Sequence, residues 1–376
     1  MEQTNETIIE RLNDDGITLN FMGTVKSSKL VQEQTMHQVF KVNSDKGNFY
    51  VKIGKPGDKD QGAREMKVET DWYRRFKHDF KIPYAPDAIY TKLDGGVHVM
   101  AVQEVLGETY DKILRKDLRF ENQLSVLEEL MHISAEVSER GYNAFLADKE
   151  NTPAFFGEFD EGECNFLVGR TLKILKAFLD EKAGDKIQAL EKTLKEDISP
   201  LLVDEEFRSF YRDAIPLNWI KSEINNKPVP IDLGSTSYRS VQFDLVALIE
   251  TPKCGLDNLT EEQRDYLVEQ RWKIDQEEKV SKELFDKIFQ MTSFLKNCSG
   301  VASRIQHIKD NKTKIELGVD IKMYQNRLKN NLEGRDFHIA RALAANNKLL
   351  QRNYVGVLEL EITKEFLQDL SQGKYI

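Results

Sequence analysis

The chain has 376 residues, of which 40% are hydrophobic and 31% charged, with a net charge of −9. That balance implies a soluble folded protein with room for two lobes and excludes a low-complexity or disordered chain. No apolar run approaches the ~18 residues that a membrane span needs, residues 1–6 have no signal-peptide character, and the negative charge argues against nucleic acid, which requires a positive face. The expectation is a cytoplasmic protein with neither membrane nor nucleic acid as partner. Cys164, Cys254 and Cys298 lie far apart and offer no metal-ligand spacing or disulfide framework, so they read as idle thiols.

Residues 7–15 read as a short leading helix, and residues 18–25 and 38–42 as two strands joined by a polar loop at 26–35. Gly23 stands at the turn side of the first strand, with Ser27 and Ser28 in the loop. Their backbone N–H groups and hydroxyls are of the kind that hold phosphate oxygens. Residues 48–53 form a third strand, in which Lys52 sits inside an apolar run. A lysine there is costly unless it meets an anion.

A helix follows at 63–76, with Val68, Trp72 and Phe76 at helical spacing, and Glu65 and Glu69 one turn apart on it. Residues 88–92 and 98–103 pair about the turn Asp94-Gly95-Gly96, and Glu104 to Leu106 lead out of the sheet. The stretch 110–210 is helical in pattern. It holds the apolar stripes Leu124-Leu127-Leu130-Met131 and Leu172-Leu175-Phe178-Leu179, which read as core, and an acidic loop at 157–163.

Tyr211-Arg212-Asp213-Ala214-Ile215-Pro216-Leu217-Asn218 then places Asp213 and Asn218 on one irregular loop. Strands at 219–223 and 229–231, joined by the turn formers Asn225-Asn226-Lys227-Pro228, return Asp232-Leu233-Gly234 toward Asn218. Three oxygen-bearing side chains converge. One can orient a hydroxyl and two can hold a hard divalent cation on nucleotide phosphates. Residues 243–249 read as a mostly apolar helix with Asp244 in its first turn, where the helix dipole favours an acid. The chain is again helical from 261 and over most of 281–351, with Gly334-Arg335-Asp336 read as a break.

The order and spacing of Lys52, Glu69, Asp213, Asn218 and Asp232 resemble the protein-kinase-like superfamily, and Asp213-x-x-Pro216-x-Asn218 is similar to the catalytic loop of aminoglycoside and choline phosphotransferases. Glu69-x-x-Trp72-Tyr73 likewise resembles the helix of small-molecule kinases, which favours Glu69 over Glu65 as the partner of Lys52. The chain departs from the pattern at three places. Tyr211 replaces the His of His-Arg-Asp, Ile215 stands where a His or Lys is usual, and the glycine-rich loop is absent. Only eleven residues separate Asp232 from Asp244, too few for the activation segment and peptide-docking loop of a protein kinase.

The resemblance implies an α+β, two-lobed protein-kinase-like fold. A small antiparallel β lobe with one main helix (1–103) binds nucleotide, and a larger, mostly helical lobe (104–376) carries the catalytic loop and metal site. It implies transfer of the γ-phosphoryl group of ATP or GTP, with Mg²⁺, to a hydroxyl of a small molecule. Asp213 is the expected catalytic residue. Asn218 and Asp232 are the expected metal ligands, and Lys52, Glu69, Gly23, Ser27, Ser28, Glu104 and Leu106 line the nucleotide, the last two through main-chain groups. The acids Asp204, Glu205 and Glu206 favour a cationic acceptor. Two readings compete: a nucleotide-binding pseudokinase acting as a regulatory module and, more remotely, a protein kinase.

Overall fold

The computed structural model describes residues 5–33, 37–54, 61–82, 85–147, 214–235, 239–275 and 277–352, with isolated positions between 169 and 209 and beyond 363. The chain forms two compact units. The first comprises Met1–Tyr110, Glu136–Phe155 and Phe210–Ser237; the second comprises Asp111–Ala135, Phe156–Ser209 and Tyr238–Ile376.

The first unit opens with helices α1 (Asn5–Asp14) and α2 (Gly16–Met22). The second of these replaces the strand expected at 18–25. Ile17, Leu19 and Phe21 mimic strand alternation, but Ile17 and Leu19 are exposed while Thr18 and Met22 are buried. Asp15 caps α2 by accepting from the Thr18 N–H at 2.8 Å, and Gly23, at φ +74°, ends it.

Strands β1 (Val25–Glu33), β2 (His37–Ser44), β3 (Gly47–Gly54), β4 (Ala88–Leu93) and β5 (Val97–Gln103) form one antiparallel sheet in the order β1-β2-β3-β5-β4. β1 occupies most of the expected loop at 26–35. It is an edge strand, so its polar residues meet water on one side, and charged or polar edges discourage unwanted pairing. Helix α3 (Gln61–His78) covers the predicted 63–76 and buries Met66, Trp72, Tyr73 and Phe76.

β3 explains the mixed run around Lys52. Phe49, Val51 and Ile53 join Ile8, Leu12, Met22, Phe40 and Val42 in one core cluster. Strand alternation turns Tyr50 and Lys52 to the opposite face. The β4–β5 turn falls at Asp94-Gly95-Gly96 as expected, with both glycines at φ +81°. A second sheet contains β6 (Gly107–Thr109), β7 (Trp219–Ser222) and β8 (Pro228–Pro230) in that order. Gly107 is obligatory there, because a Cβ would collide with the Lys221 carbonyl oxygen.

The second unit contains α4 (Tyr110–Lys116, apart from Tyr110), the first part of α5 (Phe120–Ala147), α6 (Val241–Ile249), α7 (Glu261–Asp275), α8 (Lys282–Glu316) and α9 (Ile321–Gln351). Leu127, Leu130 and Met131 are buried on α5, as their spacing implied; the stripe at 172–179 and the acidic loop at 157–163 lie outside the described residues. All nine residues of α6, Asp244 included, are buried.

α9 runs unbroken through Gly334, contrary to the expected break. A Cβ on Gly334 would stand 2.9 Å from Arg304 Nε, and one on Gly300 2.7 Å from the His338 ring. These glycines let α8 and α9 approach closely; they do not end a helix. Beneath them lies a buried polar network. Glu250 accepts from Arg264 Nη1 at 3.2 Å, Ser293 Oγ at 2.7 Å and Asn297 Nδ2 at 2.7 Å. Asn297 Oδ1 also meets His338 Nδ1 at 2.8 Å.

Candidate functional site

The site forms within the first unit around Lys52. Its Nζ donates to Glu69 Oε2 at 2.7 Å and to Asp232 Oδ1 at 2.8 Å. Burial disfavours the ammonium charge, but the two carboxylates more than reverse this and hold the Lys52 pKa well above its usual value. Lys52 in turn lowers the Asp232 pKa. Glu69 is fully enclosed, and burial pushes its carboxyl up to about 7 despite the ammonium beside it. Asp232 differs from its partners in retaining 48% side-chain exposure.

α3 positions these groups through Glu65, Glu69 and Tyr73, spaced four residues apart and therefore on one helix face. Glu69 takes Lys52. The Tyr73 hydroxyl accepts from the Asp232 N–H at 3.0 Å, and burial, the largest influence, holds its pKa well above the usual phenol value. Glu65 packs against Gly234, where an added Cβ would lie 2.9 Å from its Cγ and 3.3 Å from Glu69 Oε2. The glycine of Asp232-Leu233-Gly234 is thus needed for close approach to α3. Asp232 has φ +59°, in the left-handed region that non-glycine residues enter at a cost and that recurs at functional positions.

The β7–β8 hairpin forms as its turn residues implied. Trp219 pairs with Pro230 and Lys221 with Pro228, while Asn226 takes φ +56° in the turn. The ladder continues one step further, with the Ile231 N–H donating to the Asn218 carbonyl at 2.8 Å. Asn218, ending a 3-10 turn at Pro216–Asn218, is therefore held beside the residue that precedes Asp232. Trp219 is buried next to it. An amide oxygen and a half-exposed carboxylate are hard donors suited to Mg²⁺, which keeps several of its waters and takes only one or two protein ligands. Among the described residues no group of three His, Cys, Asp or Glu side chains is placed to hold a metal. Asp213, with Tyr211 and Arg212, lies outside the described residues.

The other expected nucleotide-lining residues, Gly23, Ser27, Ser28, Glu104 and Leu106, also lie in the first unit. Val39 faces Lys52 across the β2–β3 pair, and Gln32 faces Val39 across β1–β2. Ser27 and Ser28 face Asn43 and Val42, toward the other end of these strands, and Gly23 abuts Asp45 and Lys46 at the β2–β3 turn. The expected loop at 26–35 is strand as far as Glu33, and β2 begins at His37. In the segment leaving the sheet, the Glu104 N–H donates to the Asn48 carbonyl at 3.0 Å and the Leu106 carbonyl accepts from Glu223 at 2.9 Å. The Glu104 carboxylate accepts from Lys41 at 2.6 Å.

Sequence reasoning missed His37 and Tyr73. His37 opens β2, two residues before Val39 and so on the Lys52 face of the sheet. It is buried and lies near enough to Asp232 to join Lys52 in lowering its pKa. Strand alternation counted back from Val39 would have found it, had β2 been started correctly.

Neither a protein-family model nor a curated protein sequence matches the chain. Solved structures do. A point mutant of aminoglycoside 2′-phosphotransferase-IIIa in complex with GDP matches with a TM-score of 0.54 at 14% identity, over 88% of this chain and 99% of that one. A thermostable mutant of aminoglycoside phosphotransferase APH(4)-Ia, in ternary complex with ADP and hygromycin B, matches with a TM-score of 0.50 at 13% identity, over 89% and 97%. The chain has the α+β, protein-kinase-like fold of the aminoglycoside phosphotransferases.

Proposed function

We propose that the chain is a small-molecule kinase, transferring the γ-phosphoryl group of ATP or GTP to an acceptor hydroxyl. The observation that carries this is Lys52 held between Glu69 and Asp232, with Asn218 tied to the adjoining strand. Lys52 binds the α/β-phosphates and Glu69 keeps the ammonium in place. His37 supports Lys52 on the phosphate side. Asn218 and Asp232 hold Mg²⁺, whose charge offsets that of the phosphate oxygens. Asp213, five residues before Asn218, accepts or orients the hydroxyl proton. Adenine meets main-chain groups of Glu104 to Leu106. Residues 1–103 serve as the nucleotide lobe, and residues 104–376 supply the acceptor side.

The acceptor is a small molecule, because the eleven residues between Asp232 and Asp244 leave no peptide-docking platform. An amine-bearing acceptor is favoured by Asp204, Glu205 and Glu206 and by the fold's occurrence in an enzyme captured with hygromycin B. Calorimetry with Mg·ATP and Mg·GTP, followed by a screen for nucleoside diphosphate release over amino alcohols, sugars, nucleosides and antibiotics, tests the reading. Binding with turnover that falls roughly 10²–10⁴-fold in Asp213→Asn supports it. Binding without turnover on any acceptor favours the pseudokinase, and no binding of either nucleotide defeats both.

A further inference from the structure

The far end of the α8–α9 hairpin has no part in the site above. α8 closes with three main-chain hydrogen bonds, Leu317 N–H to Thr313, Gly318 N–H to Ile315 and Val319 N–H to Lys314, each 3.0 Å. Gly318 takes φ +72°, and the Asp320 carboxylate caps α9 by accepting from the Met323 N–H at 3.2 Å. This well-formed turn could be made from polar residues. Instead it presents three large aliphatic side chains to solvent: Leu317 at 69% exposure, Val319 at 42% and Ile321 at 48%. From 309 to 330 the only buried residue is Asn311. Each helix is covered there by little beyond its partner, over a length of about 15 Å.

The charge of this stretch also departs from that of the chain. Between 309 and 329 stand Lys309, Lys312, Lys314, Lys322, Arg327 and Lys329, against Asp310, Glu316 and Asp320, in a protein of net charge −9. An aliphatic apex flanked by lysines complements an anionic surface that has an apolar interior. The apex carries no aromatic ring on which a nucleic-acid base could stack. The nearest, Tyr324, lies below it with the Arg327 guanidinium 5.3 Å from its ring centroid.

We propose that this hairpin tip docks on an anionic lipid surface, with Leu317, Val319 and Ile321 entering the headgroup boundary and the flanking basic side chains meeting the lipid phosphates. The contact is peripheral, since no helix among the described residues is long and apolar enough to cross a membrane. It is independent of the kinase reading.

The test is co-sedimentation of the full chain with vesicles of phosphatidylcholine alone and with about 30 mol% phosphatidylserine added. Binding is expected only to the anionic vesicles and should weaken as salt rises. The triple variant Leu317→Ser, Val319→Ser, Ile321→Ser and the triple variant Lys312→Glu, Lys314→Glu, Lys322→Glu should each lose roughly 10-fold or more. Both should keep the wild-type melting temperature, because every altered side chain is exposed. No binding to anionic vesicles overturns the proposal. So does binding that both folded variants retain, or capture of RNA with no vesicle binding.

Discussion

Two clusters of enclosed charge, one in each unit, use the same chemistry to opposite ends. Around Glu250 the partners close inward: Arg264, Ser293 and Asn297 occupy both carboxylate oxygens, and Asn297 passes the network on to His338. Burial, followed by Arg304 and Lys296, lowers the His338 pKa to about 3, so the ring is neutral. Around Lys52 two carboxylates share one ammonium, one of them half exposed on a left-handed backbone. The first arrangement satisfies both oxygens of its carboxylate from within the protein. The second carries an excess of carboxylate facing water, which is the condition for taking up a cation together with phosphates.

The sharpest way to break this contrast is Glu250→Ala. It strands the Arg264 charge in the interior and should cost about 3–5 kcal/mol, read as a large fall in melting temperature. Asp232→Asn should do the reverse. Asparagine tolerates the left-handed backbone, so melting should stay near wild type, while Mg²⁺-dependent nucleotide affinity should fall roughly 100-fold, about 2.7 kcal/mol. A large stability loss in Asp232→Asn would show that the Lys52 cluster is structural like the other.

Two further effects refine the picture. His37→Ala should weaken ATP and ADP by about 10-fold and leave adenosine unchanged, since a phosphate contact is a charge-assisted bond. Equal losses for adenosine and ATP would place His37 in the scaffold instead. The pH dependence of Glu69 has a definite sign. Its folded pKa, about 7, lies above the ordinary 4.5, so the folded state holds the extra proton between these values. Its contribution to stability is greatest below pH 4.5 and declines as pH rises toward 7. Relative to Glu69→Gln, the wild type should therefore lose on the order of 3 kcal/mol across that window, measured as melting temperature against pH.

Much of the site was legible because its residues obey short-range rules. Lys52 stood out as a charge inside a strand, and Asn218 and Asp232 by the hairpin between them, whereas helical spacing left Glu65 and Glu69 both open and only the family resemblance chose Glu69. What escaped depended on pairing partners far along the chain. α2 shows strand-like alternation, yet its cap at Asp15 and the exposure of Ile17 and Leu19 decide for helix. β1 looks like a loop because an edge strand can be polar, yet it pairs with β2 as far as Glu33. Gly334 read as a breaker because only the opposite helix, through Arg304, reveals why it lacks a side chain.

The spacing of Glu65, Glu69 and Tyr73 also makes α3 a ruler. Each contact is one helical interval from the next, and each engages a different part of the site. Adding or deleting a single residue between Glu65 and Tyr73 would rotate one end of the helix by about 100° relative to the other. Glu65 and Tyr73 could then no longer face Gly234 and Asp232 together, although exposed side chains of α3 such as Arg64, Lys67 and Arg74 could change. The length of this segment, more than its composition, is what variation at this locus must respect.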